Sequence, residues 1–167
     1  AVREQSADAG FAQDPDADRL AIVDELGRYI GEEYTLALSA LAILTAHRDS
    51  GQKTEGRVFV TNLSTSRMLD DVCGMFGARV VRTPVGEANV VEVMKREDAL
   101  GGGEGNGGII WPRTTYVRDS LTGMALILWL LSGRGKGAKR RRLSEIVAGL
   151  PSYAIEKRKV DLGKKED

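Results

Sequence analysis

Apolar residues along this chain gather in short runs whose spacing switches between strand and helix periods. Leu20–Val23 is a brief apolar run closed by the turn sequence DELG, which predicts a strand and a hairpin-like return through Tyr29 and Ile30. Glu32 and Glu33 then open a helix expected to reach about Arg48. Acidic residues suit its first turn, and its leucines and isoleucine go most of the way round, so it should be buried on more than one side. RVFVTN (57–62) is β-branched and aromatic and predicts a strand buried on both faces. Ser64 or Ser66 can cap the helix that follows, with Met68, Leu69, Val72 and Met75 on its core face and Gly77 as its stop.

RVVRT (79–83) predicts the next strand, and a turn at PVGE leads into a helix from about Ala88. A short strand near Ala99 enters a glycine loop, and IIW (109–111) reads as another short strand. Asp119 is placed to cap a strongly apolar helix over 120–132, which puts Leu128 in the core. RLSEIVAGL resumes a short amphipathic helix. This order predicts an α/β fold: a mixed, mostly parallel sheet with helices on both faces, binding its ligand in loops at the carboxyl ends of the strands.

Composition narrows the function classes. The 167 residues, 42% hydrophobic and 29% charged, suffice for one ordinary domain with a real core. Lys plus Arg and Asp plus Glu both number 24. A zero balance argues against a dedicated nucleic-acid binder. GRGKGAKRRR (133–142) lacks aromatic residues to stack bases and reads as a solvated loop. No apolar run is long enough for a transmembrane helix. The single cysteine, Cys73, lies in an apolar stretch and reads as a buried thiol in a reducing, cytoplasmic setting. The chain starts at Ala1 with polar sequence, the expectation for a piece of a longer protein.

Two stretches carry candidate chemistry. DPDADRL (14–20) sets Asp14, Asp16 and Asp18 on alternate positions, where like charges repel unless a hard divalent cation gathers them. A calcium loop of the EF-hand type would need glycine where Arg19 stands and helices on both flanks, so calcium is rejected. Mg²⁺ fits better, because three monodentate carboxylates leave positions for phosphate oxygens, and Arg19 can pair with a phosphate. GGGEGNGG (101–108) has neither the lysine of a Walker A loop nor a following helix. Its glycines can let backbone approach a ligand while Glu104 and Asn106 bond to sugar hydroxyls; the plain alternative is a hairpin.

Together and in order, these motifs resemble the α-D-phosphohexomutases, the phosphomannomutase, phosphoglucomutase and phosphoglucosamine mutase superfamily. DPDADRL resembles the family's magnesium loop and GGEGNGGII its sugar-recognition loop. NLSTSRMLDD, TPVGEANV and RDSLTGMAL resemble the segments before, between and after them. The resemblance implies a four-domain parent. Residues 1–30 would end its second domain, 31–153 would form its third, and 154–167 would lead toward the fourth. It implies Mg²⁺ on Asp14, Asp16 and Asp18, a phosphate contact from Arg19, and sugar contacts from Glu104, Asn106, Gly86 and Glu87. The implied reaction interconverts hexose 1-phosphate and 6-phosphate through a bisphosphorylated sugar. The catalytic phosphoserine would lie on another domain, leaving this piece inactive alone. Many members carry serine at the Asn106 position and histidine at the Gly108 position. The rival reading is a non-catalytic sugar-phosphate-binding domain.

Overall fold

The computed structural model describes residues 1–135, 139–154 and 156. Its elements follow in the order β1 (Ala9–Gln13), β2 (Leu20–Asp24), α1 (Glu33–Asp49), β3 (Val58–Asn62), α2 (Met68–Gly74), β4 (Arg79–Thr83), α3 (Glu87–Arg96), β5 (Gly101–Glu104), β6 (Gly108–Ile110), α4 (Ser120–Leu131) and α5 (Leu143–Ala148). The main sheet has the order β4-β3-β5-β6. Strands β4, β3 and β5 are parallel and β6 is antiparallel to β5. This is the mixed, mostly parallel α/β sheet the pattern predicts.

Every residue of β3 is buried, because helices cover both of its faces. Val58 and Val60 pack with Val90 and Met94 of α3. Phe59 points the other way, into a core with Leu36 and Ile43 of α1 and Leu69 and Val72 of α2. Alternation along one strand thus feeds two cores. A third core joins Leu20 and Ile22 of β2 to Leu38, Ile127, Leu131, Leu143 and Ile146. The predicted return is present: Tyr29 bridges Val23, and the Ile30 N–H donates to the Ile22 carbonyl at 3.1 Å.

Several expectations need correction. Strand β1, Ala9–Gln13, pairs antiparallel with β2 along its whole length, where the sequence offered only polar, irregular chain. Its small residues carry almost no alternation, and only the partner strand makes it β. Met75 is 54% exposed, because α2 ends at Gly74 before its face comes round again. Ser66 receives the Met68 N–H at 3.4 Å, whereas Ser64 turns away to donate to Asn62. Most of the glycine loop is strand, leaving residues 105–107 as the hairpin turn. Glycine serves packing there: a Cβ at Gly102 would stand 2.5 Å from the Met94 sulfur and 2.7 Å from the Val60 carbonyl oxygen.

Asp119 caps α4 as expected, accepting the Leu121 N–H at 3.0 Å. Leu128, however, is 53% exposed. An apolar helix that packs on β6, α1 and β2 still leaves one side uncovered. Leu128→Ala is therefore expected to lower stability by less than about 1 kcal/mol in urea unfolding, well short of the roughly 2–5 kcal/mol of a buried leucine. Cys73 is buried, and that burial pushes its thiol up to about 12. Among the described residues no helix is long and apolar enough to cross a membrane. The expectation for 154–167 lies mostly outside the described residues. Of the basic run, Lys139 to Arg142 are exposed and Arg140 pairs with Asp8.

Candidate functional site

The loop joining β1 to β2 carries the three aspartates. One carboxylate oxygen from each of Asp14, Asp16 and Asp18 lies within 4.8 Å of the others. The turn is closed by the Ala17 N–H donating to the Asp14 carbonyl at 3.0 Å, with Ala17 in the left-handed region at φ 59°. A side chain is strained there, so something must hold the turn. Ser120, the first residue of α4, does so: its hydroxyl donates to the Ala17 carbonyl at 2.6 Å and accepts from the Gln13 amide at 2.6 Å. The capped start of one helix thereby fixes the acidic loop.

Each flanking aspartate has its own arginine. Arg19 donates through Nε to Asp14 Oδ2 at 2.6 Å and through its backbone N–H to Oδ1 at 3.1 Å. Partial burial acts to raise Asp14, but those two Arg19 bonds outweigh it and hold the carboxyl down at about 2. Asp18 is ion-paired through Oδ2 with Arg118. Burial raises Asp18 despite Arg118, helped by the neighbouring Asp16 and Asp14 carboxylates. Asp18 Oδ1 is buried without a hydrogen-bond partner; its nearest cation is Arg19 Nε at 3.5 Å. Three clustered hard oxygen donors, one of them an orphaned buried oxygen, fit a small divalent cation.

The glycine hairpin lies against this loop. The Leu20 N–H donates to the Gly107 carbonyl at 3.1 Å. Gly107 has φ 94°, and a Cβ there would sit 2.9 Å from the Leu20 carbonyl oxygen, so only glycine allows the approach. Glu104, at the carboxyl end of β5, is buried and already engaged. Its Oε1 accepts from the Asn62 amide at 2.6 Å and from the Gly86 N–H at 3.4 Å, and its Oε2 accepts from Arg118 Nη1 at 2.8 Å. Gly86, with φ 124°, brings the turn before α3 to Glu104. Glu87 accepts both the Arg118 backbone N–H at 3.1 Å and Nε at 2.9 Å. Asn106 faces a shallow cleft of about 250 Å³ that it shares with Gln13, Asp14, Arg19 and Glu32, and its buried Oδ1 has no partner.

The structure therefore gathers all eight candidate residues at one end of the molecule, where β3, β4 and β5 finish. A hollow of about 460 Å³ with Arg57, Asp98 and Trp111 lies at the opposite end, where β3 begins. Position favours the first, since ligands of open α/β sheets collect at carboxyl ends. Sequence reasoning missed Arg118, Asn62 and Ser120. Asn62 had a usable signal, a polar side chain closing a buried strand. Arg118 had none beyond standing beside the cap residue of α4.

An open α/β domain with an acidic loop and a glycine hairpin at its strand ends is the class of protein these features define. The description "Phosphoglucomutase/phosphomannomutase, alpha/beta/alpha domain III" fits residues 33–153, and the chain belongs to that family. It is 39% identical over 152 residues to a "Phosphoglucomutase/phosphomannomutase" of Thermococcus kodakarensis, covering 91% of this chain and 31% of the relative. It is 38% identical over 153 residues to a "Probable phosphoglucosamine mutase" of Methanococcoides burtonii, covering 92% and 31%. The chain thus spans about a third of the length of these relatives. A Burkholderia thailandensis phosphoglucomutase/phosphomannomutase family structure superposes with a TM-score of 0.72 at 23% identity, over 92% of this chain and 31% of that one, a likeness of fold.

Proposed function

We propose that this chain is the metal- and sugar-binding portion of a Mg²⁺-dependent phosphohexomutase that interconverts hexose 1-phosphate and 6-phosphate. Residues 1–30 would close the parent's second domain, 31–153 form its third, and 154–167 lead to its fourth. The observation that carries the reading is the meeting of two unlike sites in one place. A carboxylate loop suited to a hard cation abuts a hairpin whose glutamate can accept from hydroxyls, and one arginine touches both.

Asp14, Asp16 and Asp18 would hold the cation, with Oδ1 of Asp18 buried and accepting no hydrogen bond. Bound there, Mg²⁺ would neutralise charge on the phosphoryl group in transit between a serine of the parent and the sugar. Arg19 keeps half of its side chain exposed beside Asp14 and would take phosphate oxygens in a forked pair. Glu104 has a lone pair left on Oε2 for a hydroxyl, Asn106 offers its orphaned Oδ1, and Gly86 and Glu87 would border the same sugar. The proposed setting is the cytoplasm, where hexose phosphates and free Mg²⁺ coexist with a reduced Cys73.

The test is an assay of the full-length parent against glucose, mannose and glucosamine phosphates, with Mg²⁺ and after chelation. Turnover of at least one pair that disappears with EDTA and returns with Mg²⁺ is expected. The 167-residue chain, with the serine nucleophile of this reading on another domain, should give none. Sugar-phosphate binding by the parent with no turnover under any condition would instead support a binding domain.

A further inference from the structure

Among the described residues, Arg118 is the side chain that touches both halves of the site. Each of its three guanidinium nitrogens meets a different acid: Nε reaches Glu87 at 2.9 Å, Nη1 reaches Glu104 at 2.8 Å, and Nη2 pairs with Asp18. One positive charge serves three carboxylates in a setting where only 18% of the side chain is exposed. The reach depends on the hairpin, because a Cβ at Gly108 would collide with Arg118 Cδ.

We propose that Arg118 is a resident counter-cation of the aspartate loop: it holds Asp18 while no metal is bound, a divalent cation binds against its charge, and its grip on Glu104 and Glu87 carries that change to the sugar-facing turns. The proposal rests on reading Asp14, Asp16 and Asp18 as cation ligands. Arg118 occupies only Oδ2 of Asp18, and the orphaned Oδ1 remains available to an incoming ion. A cation can therefore enter without expelling the arginine, but it must share Asp18 with a fixed positive charge. Repulsion between a divalent ion and a half-buried guanidinium one carboxylate away is large on the scale of binding energies. Once the metal draws on Asp18, the guanidinium's pairing there weakens and it bears more on Glu104 and Glu87, so both acids are held more firmly in the orientation that faces a sugar. Arg118 is a positioning residue in this account and touches no reacting atom.

A purely orienting partner would behave in the opposite way. Losing an outer partner of a metal ligand commonly weakens binding by about 10–100-fold. The sign of the change therefore separates the two roles.

The experiment is calorimetric titration of the 167-residue chain with Mg²⁺, using wild type, Arg118→Met, Gly108→Ala, Glu104→Gln and the double variant Arg118→Met/Glu104→Gln. Arg118→Met should bind Mg²⁺ roughly tenfold or more tightly, because the competing charge is gone. Gly108→Ala leaves the charge but pushes the arginine aside, and should tighten binding by less. Through-space charge effects add, so Glu104→Gln alters affinity equally in both backgrounds unless Arg118 moves. A departure from additivity of about threefold or more is expected. Near-ultraviolet circular dichroism checks each fold, and if Arg118→Met does not fold, Gly108→Ala decides alone. Binding unchanged within twofold, or weaker, in the folded Arg118 and Gly108 variants overturns the counter-cation role. Strict additivity overturns the link to the sugar-facing turns. Saturable binding by wild type with either result leaves the metal reading standing, whereas no saturable binding by any chain overturns that reading and this inference with it.

Discussion

Full-length parent carrying Asp16→Asn is expected to turn over hexose phosphate about 10²–10³-fold more slowly than wild type, the usual effect of removing one preorganised electrostatic partner of a developing charge. Asp16 is the cleanest of the three aspartates to change. Asp14 holds Arg19 and Asp18 holds Arg118, so replacing either would release a cation as well as a ligand. Asp16 is exposed, and an exposed Asp→Asn change normally alters stability by within about 0.5 kcal/mol. The variant should therefore unfold like wild type and bind sugar phosphate nearly as well. Its deficit should lie in kcat, and raising Mg²⁺ should recover part of it. Steady-state kinetics over a range of Mg²⁺ concentrations reads all of this. A parent with unchanged kcat would show that these carboxylates do not serve phosphoryl transfer.

Glu104→Gln should show a different signature. A hydrogen bond to a charged group is worth about 1.5–3 kcal/mol, so kcat/KM should fall by roughly one to two powers of ten. A sugar presented in two opposite orientations would offer equivalent hydroxyls to this residue, so forward and reverse reactions should suffer alike. A second effect follows from the partners of the carboxylate. Glu104 receives Asn62 and Gly86 on one oxygen and Arg118 on the other. A glutamine must point its own NH2 at one of these donors, and a buried donor left unmatched costs about 1–3 kcal/mol. Glu104→Gln should therefore lower the unfolding midpoint in urea as well as the rate, whereas Asp16→Asn should lower the rate alone. A Glu104→Gln parent as stable and as active as wild type would reduce the glycine hairpin to a structural turn.

Elements that carry their own signal were legible in the sequence. Strand β3 is β-branched and doubly buried, α1 is apolar nearly all round, and Asp119 caps α4 as its position implies. The clustering of Asp14, Asp16 and Asp18 was legible because alternate positions in one short loop bring their carboxylates together. Less could be read where a residue's state is set from outside its own segment. Ala9–Gln13 becomes a strand because β2 pairs with it. Gly101 to Glu104 reads as a loop by composition, yet it is strand because Phe59 and Met94 press on its two faces and leave no room for side chains. Leu128 is apolar but sits on the uncovered side of its helix. Arg118 unites three carboxylates from a loop, a helix start and a strand end, a convergence that exists only once the chain has folded.

The central claim is that Asp14, Asp16 and Asp18 form a cation site beside a sugar-binding hairpin. Titration of the 167-residue chain with Mg²⁺, followed through the amide resonances of residues 13–20 and 101–108, tests it most directly. One saturable event that shifts both stretches together is expected in wild type, and a far weaker one in Asp16→Asn, whose spectrum is otherwise preserved. Equal shifts in wild type and Asp16→Asn, or shifts spread over exposed acids elsewhere on the surface, would contradict it.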